Sequence, residues 1–243
     1  MTFAYKGTFF SGYQKQKNKR TVEEEIEKVL TRINHNRCVK IYASGRTDAK
    51  VHAIHQKAHF DFELCDVENL TYKLNKMLPK DIYVQNIEKV DESFHARYTA
   101  KRKTYVYKMN CGEYNPIEAD TIYQYNRPLH VENMEEASRY FIGEHDFASF
   151  TKASRQYEST VREIYEIKMY KKDSILEIEF TGNGFLQYMV RNMVGFLIEV
   201  GEGKRKPIEV EDVLQKKDRR YAGFTAEPVG LYLKDIEYQE DTK

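Results

Sequence analysis

The feature that most restricts the fold of this 243-residue chain is the way its hydrophobic period changes along its length. A stretch patterned for a helix cannot bury its apolar side chains as a strand, and the converse also holds. Residues 3–5 read as a short strand. Val22, Ile26, Val29, Leu30 and Ile33 share one helical stripe, with Thr21 placed as an N-cap. Residues 39–43 are strand-like. Ala58, Phe60 and Phe62 then alternate with His59, Asp61 and Glu63, which predicts a half-buried strand. Residues 67–78 are helical in pattern and stop at Pro79, and residues 82–90 form a further strand. The order is β-α-β-β-α-β.

From Thr104 the order recurs. Residues 104–109 form a Tyr-rich strand, and residues 131–142 a helix stopped by Gly143. Tyr165, Ile167 and Met169 alternate on one strand and Leu176, Ile178 and Phe180 on the next, with Lys171-Lys172-Asp173 as the turn. Residues 185–200 form an apolar helix ended by Gly201-Glu202-Gly203. A shorter helix covers residues 208–216, and residues 231–238 close as a strand. Two such units predict an α+β fold of two ferredoxin-like halves, residues 1–100 and 101–243. Their antiparallel sheets are expected to join side by side, with a cleft between the halves.

Charge and apolar content bound the function. Apolar residues make up 41% and charged residues 32%, a soluble globular balance, and the net charge is +1. The opening Met-Thr-Phe-Ala-Tyr-Lys has no basic stretch leading into an apolar run, so no secretory signal is expected. Residues 185–200 are interrupted by Gln187, Arg191, Asn192 and Glu199, which makes them a buried helix and not a membrane span. Cys38, Cys65 and Cys111 have no pairing pattern and read as reduced thiols of a cytoplasmic protein. Basic residues are locally segregated. Lys15, Lys17, Lys19 and Arg20 form one acid-free run, and Arg97, Lys101, Arg102, Lys103 and Lys108 another. Such runs make either a basic face for nucleic acid or two solvated loops.

The chemistry-bearing segment is Gly45-Arg46-Thr47-Asp48-Ala49, between two predicted strands. It serves either as an Asx-turn with a nearby ion pair or as a carboxylate kept ionised by arginine and available as a nucleophile. His52, His55 and His59 are discounted as a metal site. On a strand rising ~3.3 Å per residue, His55 and His59 stand roughly 13 Å apart. Gly201-Glu202-Gly203-Lys204 lacks the glycine spacing and the Ser/Thr of a phosphate-binding loop.

The segment Ser44-Gly45-Arg46-Thr47-Asp48-Ala49-Lys50-Val51-His52-Ala53 resembles the signature of the tRNA pseudouridine synthase A family. Other blocks resemble that family in the same order. They are Tyr5-Lys6-Gly7-Thr8 with Gly12-Tyr13-Gln14-Lys15-Gln16, and Phe94-His95-Ala96-Arg97-Tyr98-Thr99-Ala100 with Thr104-Tyr105-Val106-Tyr107. Gly143-Glu144-His145-Asp146-Phe147-Ala148-Ser149-Phe150 follows, then Gly184-Phe185-Leu186 with Met189-Val190-Arg191-Asn192-Met193-Val194-Gly195. Pro228 with Gly230-Leu231-Tyr232-Leu233 closes the set.

The resemblance implies a cofactor-free, metal-free isomerase that turns uridine into pseudouridine in the tRNA anticodon stem-loop, in the family at tRNA positions 38 to 40. By that resemblance Asp48 is the nucleophile, and Arg46 fills the space left by the extruded base. Tyr105 stacks on the flipped uracil, which must leave the helical stack to react. Arg191, read as buried on its apolar helix, reaches Asp48 and holds it ionised. Phe185, Leu186 and Met189 line the apolar side of the uracil pocket. Lys15, Arg20, Arg97, Lys101, Arg102 and Lys103 contact RNA phosphates. The first half carries the aspartate loop, the second completes the pocket, and the family implies a cytoplasmic homodimer with no membrane partner.

The sequence departs from the family pattern at four places. Lys50 and His55 stand where glycine is usual, Tyr13 where tryptophan is, and Lys6 where aspartate is. A glycine beside such a loop permits positive φ or a close backbone approach. Two other classes compete. A non-catalytic RNA-binding module of two ferredoxin-like sheets is opposed by the absence of the RNA-recognition motif's aromatic pattern. A carboxylate-dependent hydrolase lacks a second carboxylate beside Asp48.

Overall fold

A computed structural model describes residues 1–63, 66–152 and 157–238 as a mixed α+β protein. The chain divides into two compact units, Met1–Lys101 with the described part of Tyr232–Lys243, and Arg102–Leu231.

The first unit contains β1 (Thr2–Tyr5), α1 (Val22–Ile33), β2 (Tyr42–Ala43), β3 (His52–His59), α2 (Val67–Met77) and β4 (Ile82–Asn86), the predicted order. The strand β10 (Leu231–Tyr238) adds to it from Tyr232 onward. β1 lies between β4 and β3 and is antiparallel to both. β10 runs parallel to β3, pairing Tyr232 with His52 and Leu233 with Ala53. Reading the sequence in order assigned this strand to the second half, and its ladder with β3 puts it in the first.

Helix α1 buries Val22, Ile26, Val29 and Leu30 of the stripe read from the sequence, and leaves Ile33 half-buried at its end. Thr21 holds the N-cap position, but its hydroxyl makes no capping bond. Instead Glu23, Glu24 and Glu25 in the first turn suit the positive end of the helix dipole. Asp66 does cap α2, its carboxylate accepting from the Asn69 N–H at 2.9 Å.

β3 departs from the prediction. It spans His52–His59 and ends before Phe60 and Phe62. Its buried positions are His52, Ala53, Gln56 and Ala58, two of them polar, so the apolar alternation could not register them. Of the expected strand at residues 39–43, only Tyr42–Ala43 pairs with β3.

The second unit has β5 (Ala100–Asn110, within it from Arg102), β6 (Tyr123–Gln124), α3 (Val131–Arg139), β7 (Gly143–Asp146), β8 (Val161–Lys172), β9 (Ile175–Gly182), α4 (Met189–Gly201) and α5 (Glu209–Lys216). Its strands follow the order β5-β9-β8-β7, all antiparallel, and β6 pairs parallel to β5. Phe141 packs edge-on against Phe150 at 5.0 Å and against Phe196 of α4 at 6.2 Å. Helix α4 is apolar almost all round because it is buried almost all round. It begins four residues later than the sequence suggested, leaving Phe185 and Leu186 on its lead-in.

Cys38 and Cys111 are free thiols, and Cys65 lies outside the described residues. No helix among the described residues is long and apolar enough to cross a membrane.

Candidate active site

Asp48 is carried on the loop between β2 and β3, and that loop is held by backbone bonds together with the side chains of Gln56 and Tyr5. The Ser44 N–H donates to the Lys57 carbonyl at 2.8 Å. The Gln56 side chain clasps Gly45 from both directions, donating to its carbonyl at 2.8 Å and accepting its N–H at 3.3 Å. Thr47 is fixed twice: its hydroxyl shares a 2.7 Å hydrogen bond with the Tyr5 hydroxyl, and its carbonyl accepts the Tyr13 N–H at 3.1 Å. Beyond Asp48, the Val51 N–H closes a turn onto the Asp48 carbonyl at 3.2 Å, and the Lys50 N–H donates to Phe10 O at 3.3 Å. A polar loop so placed satisfies its own backbone groups and leaves the Asp48 side chain half-buried, with Arg46 exposed.

Two glycines let the N-terminal segment come this close. A Cβ on Gly7 would lie 2.0 Å from the Val51 carbonyl oxygen. Gly12 adopts φ +102, and a Cβ there would lie 3.2 Å from Thr47 O. The Gly7 N–H also donates to His52 Nδ1 at 3.0 Å, and the His52 ring stacks on Tyr232 of β10 with centroids 4.6 Å apart. Burial pushes the Tyr5 hydroxyl up to about 12, the bonds to Thr47 and Gln56 offsetting only part of that. Tyr5 therefore stays neutral, as a donor or acceptor to Thr47. The Tyr13 hydroxyl is buried without a hydrogen-bond partner. Burial first, then Glu23, pushes its pKa well up.

Lys50 has φ +66, in the left-handed region. The loop thus demands at Lys50 the backbone that glycine supplies freely, and here a lysine adopts it.

In the second unit, Tyr105 sits on β5 opposite Phe180 of β9, 8% exposed. Its ring meets Phe185 edge-on at 5.1 Å. Leu186 and Met189 are both buried, and the Met189 N–H donates to the Leu186 carbonyl at 3.0 Å. Tyr188, the residue preceding α4, adopts φ +63, an uncommon conformation for an aromatic residue.

Arg191 is half-buried and not buried as the sequence suggested. Its Nε donates to Ala226 O at 2.8 Å, and its guanidinium lies 4.8 Å from the centroid of the Tyr188 ring. The buried polar residue of α4 is Asn192, which donates to Phe150 O and accepts from Arg219 and Thr225. Burial lowers the Arg219 pKa. Sequence reading missed Tyr188, Asn192 and Arg219. Asn192 alone left a signal, as an amide within an apolar helix.

The basic residues divide by how they are engaged. Arg20 grips Asp81 through both terminal nitrogens at 2.7 and 2.9 Å and lies over Phe10 at 4.2 Å, so its charge is tied into the fold. Lys15 is exposed but 3.6 Å from Glu27. Arg97, Lys101 and Arg102 are exposed, with Arg102 over Tyr165 at 5.0 Å, and Lys103 is half-buried. No group of three His, Cys, Asp or Glu side chains among the described residues is placed to hold a metal ion.

A carboxylate with an arginine beside it on a fixed loop has the chemistry either of a nucleophile or of a structural ion pair. The comparisons with known proteins give the family. The tRNA pseudouridine synthase family matches residues 1–99 and 137–239. A tRNA pseudouridine synthase A from an Exiguobacterium species is 45% identical over 98% of this chain and 96% of its own length. A tRNA pseudouridine synthase A 1 from Bacillus cereus is 43% identical over 98% of this chain and 97% of its own length. A Lactococcus lactis protein named tRNA pseudouridine synthase A is 41% identical over 99% and 97%. The chain belongs to the tRNA pseudouridine synthase family.

Proposed function

We propose that this protein is an isomerase that converts uridine to pseudouridine in the anticodon stem-loop of tRNA, with Asp48 as nucleophile. The observation that carries the reading is the Asp48 loop itself, a carboxylate set between the anchored Thr47 and Val51 within a chain related over nearly its whole length to tRNA pseudouridine synthases. In the reaction the N1–C1' bond breaks, the uracil turns while bound, and C5 bonds to C1'. The C5 proton leaves and N1 takes one up, so substrate and product are isomers. No cofactor is consumed.

Arg46, exposed beside the aspartate, takes the space of the extruded base. The Tyr105 ring stacks on the uracil, and Phe185, Leu186 and Met189 give the apolar wall behind it. Arg191 keeps the nucleophile ionised. Arg97, Lys101, Arg102 and Lys103 bind phosphates, with Lys15 in a lesser share and Arg20 acting through the fold. We read the two units as ferredoxin-like halves and the protein as a cytoplasmic homodimer, which a light-scattering mass checks.

Release of a hydrogen label from C5 of tRNA uridine tests the proposal. Wild-type protein is expected to release it, and Asp48→Asn to release it about a thousandfold more slowly or worse while melting as wild type does. Full turnover by Asp48→Asn would remove the nucleophile from the mechanism. RNA binding by the wild type without turnover on any tRNA would instead favour a binding module.

A further inference from the structure

Beside the nucleophile loop stand two residues that the isomerase chemistry leaves unused, Phe9 and Lys50. The 3-10 turn Gly7–Phe9 sits directly on the loop. It is held by the Phe10 N–H on Gly7 O, the Lys50 N–H on Phe10 O, the Gly7 N–H on His52, and the Gly7 contact with Val51. Phe9, the last residue of this turn, is 71% exposed, whereas Phe10 just after it is buried under Arg20.

A single exposed apolar residue is ordinary on a protein surface. This one lies within a residue of the backbone bond that ties Phe10 to Lys50, and the segments joined there are rich in cations. Residues 5–12 and 45–51 contain Asp48 as their one acid, against Lys6, Arg46 and Lys50, all three exposed. Lys50 also holds the left-handed backbone, which is unfavourable for a residue with a Cβ, while its side chain is exposed. Strain retained at such a point is a pointer to function.

We propose that Phe9 and Lys50 form a second RNA subsite in which the Phe9 ring stacks on an unpaired base close to the target uridine and Lys50 binds the adjoining phosphate. Every base presents a π-face, so a fixed aromatic ring accepts a nucleotide without reading its edge, and a neighbouring cation supplies the backbone contact. A second copy of this chain would cover Phe9 equally well, but a self-facing contact would set Lys6, Arg46 and Lys50 against their own like charges, with Asp48 the one acid in these segments. The inference rests on the tRNA reading above and extends it to the nucleotide beside the reacting one.

Binding separates the two claims. Dissociation constants would be measured for anticodon stem-loops that each lack one base, across the loop, with wild type, Phe9→Ala, Phe9→Trp, Lys50→Gly and Tyr72→Ala. Tyr72 is an exposed aromatic on α2 and serves as the control. Wild type is expected to lose about tenfold at one abasic position. Phe9→Ala should start about tenfold weaker on intact RNA and lose nothing more at that position. Phe9→Trp and Tyr72→Ala should keep the wild-type profile. Lys50→Gly, which retains the left-handed backbone, should lower the salt dependence of binding by about 0.7 in log–log slope, one phosphate contact to a single strand. The subsite is overturned if Phe9→Ala weakens every RNA alike or none, or if it changes the oligomeric mass in place of the profile. Because the profile reads binding alone, failure of label release by the wild type would overturn the isomerase reading and leave the subsite standing.

Discussion

The Asp48 loop is held by polar bonds, and the Tyr105–Met189 segments by apolar packing. The loop is fixed by hydrogen bonds, most to its backbone with one between the Thr47 and Tyr5 hydroxyls, and by the missing side chains of Gly7 and Gly12. The wall is fixed by side chains, with Tyr105 on Phe185 and with Leu186 and Met189 buried. A backbone clamp resists small displacements but depends on close approach, whereas a packed wall contributes stability in proportion to the surface it buries. Positioning and stability are thus partly separable in this protein, and substitutions can be chosen to break the separation.

The largest effect is expected from Gly7→Ala. Its Cβ would meet Val51 O at 2.0 Å, so the backbone of one segment must move. Displacement of a reacting group by ~1 Å costs about a hundredfold in rate, and the overpacking costs about 3 kcal/mol. Label-release kinetics with urea unfolding would read both, and a normal rate would show that the clamp is not needed.

Next comes Met189→Ala, which empties a fully buried site and should cost about 2 kcal/mol or more in urea unfolding. An equal loss of rate at a temperature where the variant is fully folded would mean that wall and loop are not separable.

Tyr13→Phe is expected to act in the other direction. It removes a buried hydroxyl that has no partner and should raise stability by about 1 kcal/mol, seen as a higher melting temperature.

The smallest effect concerns acid. His59 accepts the Ala96 N–H at Nδ1, and burial, followed by His95, lowers its pKa from 6.5. The unfolded imidazole therefore takes up its proton at a higher pH than the folded one. The stability it contributes is complete above pH 6.5 and falls away as pH drops through the folded value. Melting temperatures from pH 7.5 downward should decline less steeply for His59→Asn.

Much of the frame was legible in the sequence, because α1, α2 and the β8–β9 hairpin carry their periods in apolar residues. β3 was misplaced because its buried face includes His52 and Gln56, whose polarity is satisfied by the backbone of Gly7 and Gly45. The partner of β10 was not legible at all, since parallel pairing between positions 53 and 233 leaves no local trace. At the site, Lys50 could be flagged as occupying a glycine position, and its φ of +66 gives the reason. The left-handed Tyr188 and the Asn192–Arg219–Thr225 cluster depend on tertiary contacts, which no spacing encodes.

The ladder between β10 and β3 also sets an order of events during protein synthesis. Tyr232 stacks on His52, and His52 holds Gly7, so the cradle of the Asp48 loop includes residues made long after the loop itself. At typical elongation speeds the ribosome needs on the order of ten seconds or more to travel from β3 to β10. Over that interval the growing chain already carries Asp48 but lacks one support of its mount. The packing around Asp48 is therefore completed only when the last strand has been made.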